Sequence, residues 1–368
     1  MKLVDKILVT GASGFIGCRL VEMLTDRGIP VRATVSNSSD ISRVGRLPVE
    51  IVRADLTNPS ELTRAAQGCS TIFHVAYRFG GSARQQEINF RATQVLADAF
   101  MEQGGRRFVQ VSSMMSYGDP PNGDLSENTT PQVTSDPYCN VKRKIDDFLL
   151  MMHRNHGLPV TIIQPAIVYG PYGSIWSTQL LHQVTTTRIV LPMRGQGLCN
   201  AVYVDDVVSA LMTAADCSGA IGEAFLISGA GPVTWRQFYK CYEEMVGRSA
   251  VLDAESAQGL LAKSPLRKLL ERPPQKWLLA AVRKYVPSRY RSRAKSRLRS
   301  VVGRGQTHPN TEPPLFLPDE RLGLLYASKT HIRIEKARAV LGYEPAFDLK
   351  NGMARTEQWA RSAGLLGK

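Results

Sequence analysis

The chain has 368 residues, enough for one large domain or two closely packed ones, with 43% hydrophobic and 21% charged residues. This ordinary globular composition and six scattered cysteines without paired Cys/His spacing argue against a disulfide framework and against a metal site. The formal net charge of +14 is concentrated in one segment, because residues 263–304 hold fourteen Lys or Arg against a single acid, Glu271.

Cellular location is constrained by two negative observations. Asp5 and Lys6 interrupt the first apolar run, so the N-terminus does not resemble a secretory signal. No apolar run reaches the length that spans a bilayer. We therefore expect a cytoplasmic protein.

The first half of the chain alternates short apolar strands with amphipathic helices. The first strand, "KILVTGA" (6–12), is followed by a helix in "GFIGCRLVEMLTDRG". Further strands are predicted in "PVRATVS" (30–36), "VEIVRADL" (49–56), "STIFHVAY" (70–77), "RFVQVSSM" (107–114) and "VTIIQPAIVYG" (160–170). Beyond Gly170, "AVYVDDVVSALMTAA" (201–215) and "GEAFLISG" (222–229) indicate a return to the sheet. The pattern predicts an α/β fold, a Rossmann-type doubly wound parallel sheet with a smaller, mostly helical C-terminal domain.

Three glycines stand directly after the first strand and open the first helix. Gly11, Gly14 and Gly17 form a G-x-x-G-x-x-G pattern that lets the backbone turn tightly and approach a pyrophosphate. A tight turn with close helix–strand packing is the alternative interpretation. The position at the head of a doubly wound pattern favours dinucleotide binding.

A tyrosine and a lysine lie one helical turn apart in "YCNVK" (138–142). Ser113 ends the fifth strand and could therefore lie beside Tyr138 at the ligand crevice. A phenol can move a proton, the ammonium of Lys142 can lower the pKa of that phenol, and a hydroxyl can polarise a carbonyl. Together the three residues indicate an active site.

These motifs resemble the extended short-chain dehydrogenases/reductases. That group is the NAD-dependent epimerase/dehydratase superfamily, which includes 3β-hydroxysteroid dehydrogenases and dihydroflavonol reductases. The resemblance covers about residues 1–245 and the ending "KARAVLGYEPAFDLKNGM" (336–353), whereas 250–325 do not match. The matching motifs are "TGASGFIG" (10–17), "ADLT" (54–57), "HVA" (74–76), Asn89 in "INFRAT", "SSMMSYG" (112–118), "YCNVK" and "VYGP" (168–171).

The resemblance implies a role for each matching residue. Gly11, Gly14 and Gly17 with the amides of Phe15 and Ile16 would hold the pyrophosphate, Asp55 and Leu56 would flank the adenine, Ala76 would line the cofactor, and Pro165 would face the nicotinamide. Ser113, Tyr138 and Lys142 would be catalytic, with Tyr138 as acid/base and Lys142 bound to the nicotinamide ribose. It also implies an NAD(P)-binding domain over 1–170 and 201–228, and a substrate domain over 171–200 and 229–368 with a basic insertion at 250–325.

Departures from the family pattern bear on the reaction. Met114 and Met115 stand where dehydratases carry an Asp-Glu pair, which argues against dehydration. Ile167 and Cys199 replace an asparagine and an arginine that nucleotide-sugar enzymes use for phosphates. These losses favour a less polar alcohol or ketone.

The choice between NAD and NADP depends on the end of the second strand. Ser36 stands where NAD-selective members place an acid, and Arg43 or Arg32 could reach a 2′-phosphate. The sequence therefore favours NADP slightly over NAD.

Three functions remain open. The leading hypothesis is an NAD(P)-dependent oxidoreductase acting on a bulky or lipid-like secondary alcohol or ketone. A nucleotide-sugar epimerase would use the same Ser113, Tyr138 and Lys142 and would return its hydride. A non-catalytic dinucleotide-binding subunit is the third.

The predicted partners are a small-molecule substrate and, through the basic segment 263–304, an anionic membrane surface. "QKWLLAAVRKYV" (275–286) carries an apolar stripe with flanking cations, the pattern of an in-plane amphipathic helix at the periphery of a membrane. A helix packed as a lid and a solvated loop of arginines remain alternatives. No specific nucleic-acid site is expected, because only Tyr290 interleaves the arginines. A homodimer is left open.

Overall fold

The computed structural model describes residues 6–80, 82–119, 122–252 and 312–366. The strands are β1 (Lys6–Thr10), β2 (Val31–Val35), β3 (Glu50–Arg53), β4 (Cys69–His74), β5 (Arg107–Val111), β6 (Asp124–Leu125), β7 (Val160–Pro165), β8 (Ile167–Tyr169), β9 (Arg188–Ile189), β10 (Ala201–Tyr203), β11 (Glu223–Ile227), β12 (Leu315–Phe316) and β13 (His331–Ile332). The α-helices are α1 (Phe15–Asp26), α2 (Pro59–Ala66), α3 (Ala83–Glu102), α4 (Pro137–His156), α5 (Gln179–Thr186), α6 (Val204–Asp216), α7 (Trp235–Val246), α8 (Glu320–Ala327), α9 (Glu335–Leu341) and α10 (Leu349–Ser362).

Seven of these strands form one parallel sheet in the order β11-β7-β5-β4-β1-β2-β3. From β1 the chain adds β2 and β3 on one side and then crosses over to add β4, β5 and β7 on the other. This reversal opens a crevice at the carboxyl ends of β1 and β4, where doubly wound sheets bind their ligands. The predicted Rossmann-type α/β fold is confirmed.

Both faces of the sheet are buried under helices. In β1, Ile7 and Val9 join a core that includes side chains of α1 and α6, whereas Leu8 joins a second core with α2, α3 and α4. The alternation follows from the two-residue period of a strand, and burial on both faces explains why the strands read as continuous apolar runs.

The start of α4 is fixed by local sequence. The Asp136 side chain accepts a hydrogen bond from the Tyr138 amide at 2.9 Å, and Pro137 occupies the first helical position, where no amide hydrogen is needed. Gly157, at φ 73°, ends the helix in the left-handed conformation. Tyr138 therefore lies in the first turn and Lys142 one turn further along.

Two predicted strands differ from the structure. The apolar run 160–170 divides into β7 and β8 after Pro165, where the Ala166 amide donates to the Ile227 carbonyl oxygen at 2.9 Å. The segment 201–215 does not join the main sheet. Its strand β10 pairs with β8 in a separate two-stranded sheet. The segment 222–229 does rejoin the main sheet, as β11 beside β7.

The C-terminal segment is mostly helical and is tied to earlier parts of the chain through β6 and α6. Strand β13 pairs with β6, and the Asp206 carboxylate at the start of α6 accepts the amides of Ala346 and Phe347 at 2.8 and 3.3 Å. The exact division into two domains stays a prediction. Among the described residues, no helix combines the length and apolar character needed to cross a membrane. The basic segment 263–304 lies outside the described residues, so its docking on a membrane also stays a prediction.

Candidate active site

The glycine turn after β1 leaves no room for side chains. Gly11 has a φ of 67°, and a Cβ on it would lie 2.7 Å from the Ala76 Cα. A Cβ on Gly17 would lie 2.2 Å from the Gly11 carbonyl oxygen. Both positions therefore require glycine, which lets the turn, the helix and the end of β4 pack closely together.

The turn leads directly into a helix N-terminus. Gly14 precedes α1 and has an extended conformation, with φ −79° and ψ 175°. The amides of Phe15 and Ile16 lie in the first turn, where backbone N–H groups have no acceptor inside the helix. This arrangement fits the pyrophosphate of a dinucleotide, which Gly11, Gly14, Gly17 and the amides of Phe15 and Ile16 would hold.

A buried hydrogen-bonded chain fixes the two strand ends that border this turn. The Thr10 hydroxyl oxygen accepts the amides of Val75 and Ala76, each at 3.1 Å, and lies 2.7 Å from His74 Nδ1. Because that hydroxyl accepts twice, its own proton is donated to Nδ1, and the ring carries its proton on Nε2, facing the Thr93 hydroxyl at 3.2 Å. His74 is therefore a neutral positioning group for Ala76.

The burial of His74 predicts acid sensitivity. The side chain is 2% exposed, and burial is the main reason that its pKa falls to about 3, with a smaller effect from Lys142. Since an unfolded histidine titrates near about 6.5, the unfolded state takes up this proton first as the pH drops. We expect neutral His74 to make its full contribution to the free energy of unfolding above about pH 6.5. Below that pH, this free energy should fall by up to about 1.4 kcal/mol per pH unit.

Chemical denaturation of the wild type and of His74→Gln over this interval would measure that effect. The difference between the two pH slopes isolates His74 from the other titrating groups. Equal slopes would show that His74 is not held neutral by the fold.

The residues assigned to the adenosine half follow the neighbouring strands. Ser36 comes directly after β2, and Asp55 and Leu56 come shortly after β3, so all three lie at the carboxyl edge of the sheet. The Asp55 carboxylate accepts the Thr57 hydroxyl at 2.6 Å and the Thr57 amide at 2.8 Å, which holds the pKa of Asp55 below its ordinary value. The structure thus groups these residues as the resemblance implies, and their binding roles stay predictions.

The two arginines expected near the 2′-phosphate form ion pairs with other residues of the chain. Arg32 lies near the start of β2, at the opposite edge of the sheet, and its Nε contacts Glu50 at 3.0 Å. Arg43 pairs with Glu22 at 2.7 Å and lies 3.5 Å from the centre of the Tyr172 ring. The prediction is wrong for Arg32, because strand direction carries it away from the ligand edge.

A different cation lies at this edge. Exposed Arg53, at the end of β3, donates from Nη1 to the carbonyl oxygens of Ser36 and Asn37 at 3.0 and 3.2 Å. The sequence analysis missed it because Arg53 and Val35 become neighbours only through the pairing of β2 with β3.

The three candidate catalytic side chains converge. The hydroxyl of Ser113 hydrogen-bonds with the Tyr138 phenol and also accepts the Met115 amide at 3.2 Å. Buried Lys142 donates from Nζ to the Val111 carbonyl oxygen at 2.9 Å, and its Nζ lies 5.9 Å from the centre of the Tyr138 ring. A phenol, a hydroxyl and an ammonium thus meet at the end of β5, as predicted from their spacing, and their catalytic roles stay predictions.

Burial controls the protonation of this set. It raises the pKa of Tyr138 to about 12, against the opposing effects of the hydrogen bond with Ser113 and the charge of Arg321. Burial also lowers the pKa of Lys142, and the negative charge of Asp146 partly restores it. The sequence analysis expects a lowered phenol pKa, whereas the cost of burying a phenolate outweighs the nearby charges here. At neutral pH, Tyr138 is therefore a proton donor.

Two further residues adjoin Tyr138 that the sequence analysis did not assign. The ring of Tyr77 meets that of Tyr138 edge to face at 5.3 Å, and Lys142 Nζ lies 4.6 Å from the centre of the Tyr77 ring. Arg321, in α8, forms an ion pair with Asp136 at the N-terminus of the Tyr138 helix. Tyr77 follows the "HVA" motif directly, but Arg321 lies far along the chain and gives no local signal.

The departures from the family pattern are buried apolar positions. Met114, Ile167 and Cys199 are at most 5% exposed and belong to one hydrophobic core. Pro165 is also buried, at the end of β7 beside β11. The side chains of Met114, Ile167 and Cys199 therefore supply packing where the family carries polar groups, and half-buried Met115 packs against the same core.

Comparisons with known proteins agree with this geometry. The sequence model of the NAD dependent epimerase/dehydratase family matches residues 7–228, more than half of the chain. The chain is 30% identical over 275 residues to sterol demethylase protein B of Methylococcus capsulatus, covering 71% of this chain and 82% of that protein. It is 26% identical to the 3-beta-hydroxysteroid dehydrogenase of Mycolicibacterium neoaurum, covering 95% and 89% of the two chains.

A solved structure of similar fold is the UDP-glucose 4-epimerase of Thermotoga maritima with UDP-glucose. It matches with a TM-score of 0.70 at 21% identity, over 97% of this chain and 99% of that one. At this identity the likeness concerns the fold alone. From the family match and the similarity to these relatives, the chain belongs to the NAD dependent epimerase/dehydratase family, among the extended short-chain dehydrogenases/reductases, and is an NAD-dependent enzyme of the dehydrogenase/reductase class.

Proposed function

We propose that the protein is an NAD(P)-dependent oxidoreductase that transfers a hydride between nicotinamide and a secondary alcohol or its ketone, on a bulky or lipid-like substrate. The observation that carries this proposal is the convergence of Ser113, Tyr138 and Lys142 beside two methionines. Hydroxyl, phenol and ammonium can move one proton at a carbonyl oxygen, whereas the thioethers of Met114 and Met115 cannot move a second. The combination of these three polar side chains with two methionines therefore favours reversible hydride transfer over a reaction that removes water.

Each side chain has a role that its environment supports. When bound, the dinucleotide supplies the hydride donor or acceptor. The Ser113 hydroxyl would orient the carbonyl oxygen, and Tyr138 would give that oxygen its proton. Lys142, held by the Val111 carbonyl oxygen, would bond the nicotinamide ribose and stabilise the phenolate that remains.

The substrate class is inferred from two lines of support. Ile167 and Cys199, at positions that bind phosphates in nucleotide-sugar enzymes, are buried apolar residues. Two relatives at 30% and 26% identity carry the names of a sterol demethylase protein and a 3-beta-hydroxysteroid dehydrogenase. A steroid-like alcohol needs no phosphate contact, so both lines favour it over a sugar nucleotide.

The test compares two substrates with one enzyme. With dehydroepiandrosterone as a 3β-hydroxysteroid probe, the protein should reduce NAD⁺ or NADP⁺, seen in the ultraviolet absorbance of the reduced cofactor. With UDP-glucose, conversion to UDP-galactose without release of reduced cofactor would favour the epimerase instead. Tight NADH binding without turnover of either probe would support the non-catalytic subunit.

We further propose that the protein prefers NADP over NAD, because side chains at the carboxyl ends of β2 and β3 would bind the 2′-phosphate. The hydroxyls of Ser36 and Ser39 lie 2.8 Å apart, with that of Ser38 3.4 Å from Ser36. The Arg53 guanidinium is bound to the same loop through two carbonyl oxygens. Hydroxyl donors and a guanidinium suit a 2′-phosphate, and no carboxylate stands at position 36 to repel one.

Cofactor titration checks this preference. We expect NADPH to bind more tightly than NADH, Arg53→Met to weaken NADPH by about tenfold, and Ser36→Asp to reverse the order through charge repulsion. Arg64→Met removes an exposed arginine from α2 and is the matched control, which should leave both affinities unchanged. Tighter NADH binding by the wild type would contradict the preference.

A further inference from the structure

Asp146 is a buried carboxylate without an assigned role, close to the candidate catalytic residues. It is 5% exposed and lies in the third turn of α4, one turn beyond Lys142. Its Oδ2 accepts the Ser112 hydroxyl at 2.7 Å and the Gln164 amide at 3.0 Å, while its Oδ1 has no hydrogen-bond partner. A buried carboxylate is costly, so its presence calls for a compensating function.

The hydrogen bonds of Asp146 hold three elements together beneath Ser113. Ser112 is the residue before Ser113, and its amide donates to the Ile163 carbonyl oxygen in β7 at 2.7 Å. Gln164, also in β7, donates a further bond to the Ser116 hydroxyl at 3.1 Å. The carboxylate thus joins α4 to the end of β5 and to the turn that begins with Ser113, and so restricts where the Ser113 hydroxyl can point.

Asp146 also supplies the negative charge nearest in sequence to Lys142 on the buried face of α4. Residues 138, 142 and 146 are four apart and lie on one side of the helix. The ammonium of Lys142 is 4% exposed, and its one hydrogen-bonded acceptor among the described residues is the neutral Val111 carbonyl oxygen. A buried ammonium needs an opposing charge to remain protonated, and the Asp146 carboxylate provides it.

We propose that Asp146 is a positioning residue of the catalytic set, which fixes the strand end that carries Ser113 and keeps Lys142 in its ammonium form. This inference rests on the proposed hydride chemistry at Ser113, Tyr138 and Lys142. Asp146 touches neither substrate nor the reacting atoms. It acts through Ser112 on one side and through Lys142 on the other.

The titratable groups around this pair are few. Lys142 is faced by Tyr138 and Asp146 from α4, by His74 from β4 and by Tyr77 from the segment after it. Asp146 is faced by two titratable groups, Lys142 from α4 and Tyr117 from the turn after β5. The neutral side chains of Ser112, Ser116 and Gln164 hydrogen-bond with it. Burial lowers the pKa of His74 to about 3 and raises those of the three tyrosines, so these four groups are neutral at about pH 7. Burial also lowers the pKa of Lys142 and raises that of Asp146, and the attraction between their opposite charges counteracts both shifts.

The sign of the expected effect follows from the charges. Removing the carboxylate charge disfavours the ammonium and lowers the pKa of Lys142 further. If Lys142 bonds the nicotinamide ribose as an ammonium, NADH affinity falls once Lys142 loses its proton. The pH at which NADH affinity is halved should therefore move down when Asp146 becomes neutral.

The experiment measures NADH binding by fluorescence between about pH 6 and about pH 10, the interval that brackets a lysine of lowered pKa. Asp146→Asn should move the midpoint down by about one pH unit, and Asp146→Ser, a second neutral variant, should do the same. Asp146→Glu keeps the charge, and Ser112→Ala removes one hydrogen bond without altering charge, so both should keep the wild-type midpoint. Lys142→Met should show no such transition.

Several results would overturn the proposal. These are an unchanged midpoint in a folded neutral variant, a shift of equal size in Ser112→Ala, or a wild-type midpoint near the ordinary lysine value of about 10.4. Thermal unfolding of each variant separates a local effect from loss of fold. Failure of dehydroepiandrosterone turnover would contradict the proposed function. The NADH-binding measurement would still test the role of Asp146, because NADH binding needs no substrate.

Discussion

Replacing Tyr138 with phenylalanine is expected to remove nearly all turnover while leaving the fold and the cofactor affinity intact. Phenylalanine fills the same space against Tyr77 and deletes only the phenolic oxygen that bonds with Ser113. Proton transfer by a positioned side chain typically contributes on the order of a hundredfold to ten-thousandfold in rate, so the loss of kcat should be at least about a hundredfold.

A matched control is available in the same chain. Tyr343 is buried, and its hydroxyl donates to the Ser228 carbonyl oxygen at 2.8 Å, so Tyr343→Phe deletes a comparable oxygen whose hydrogen-bond partner is not one of the candidate catalytic residues. That variant should lose about 1 kcal/mol of stability and keep its rate. Steady-state turnover with dehydroepiandrosterone, beside NADH titration, makes the comparison, and a near-wild-type rate in Tyr138→Phe would remove this tyrosine from the mechanism.

The parts of the site that were predictable are those that depend on local sequence. Tyr138 and Lys142 share a helix, so their spacing alone places them on one face. Gly11, Gly14 and Gly17 form one turn, whose close approach to Ala76 follows from the parallel pairing of β1 with β4. The sheet itself follows from the alternation of strands and helices, and the order of its first strands follows the usual doubly wound pattern.

The parts that were not predictable depend on contacts distant in sequence. Arg53 reaches the Ser36 loop only because β2 and β3 pair, and Arg32 is excluded because it lies near the amino end of β2, at the edge of the sheet opposite the ligand crevice. Arg321 reaches the Tyr138 helix from a segment with no matching family motif. The hydrogen-bond partners of Asp146, Ser112 after β5 and Gln164 in β7, come from two elements distant in sequence, so no spacing in the sequence predicts them.

The sign of the Tyr138 pKa shift illustrates the same limit. A tyrosine followed by a lysine predicts a lowered pKa from charge alone. The structure adds the cost of burying the phenolate, which is the larger effect and raises the pKa to about 12. Burial is a property of the folded chain, and a linear pattern of charges does not contain it.

Replacing Gly17 with alanine is expected to weaken dinucleotide binding severely. The added Cβ would lie 2.2 Å from the Gly11 carbonyl oxygen and 2.9 Å from its carbonyl carbon, both of them backbone atoms. No side-chain rotation can relieve such a contact, so the turn or the start of α1 must move. Either movement displaces the amides of Phe15 and Ile16 that would bind the pyrophosphate.

The size of the loss follows from what those amides contribute. Each hydrogen bond from a fixed amide to a charged group is worth about 1.5–3 kcal/mol, so misplacing two of them should weaken NADH binding by at least about a hundredfold. Gly45→Ala is the matched control, because Gly45 has no positive φ and nothing lies within 4 Å of its added Cβ. NADH titration with thermal unfolding of both variants would check the prediction. If Gly17→Ala folds and binds NADH as the wild type does, the turn after β1 is not the pyrophosphate site.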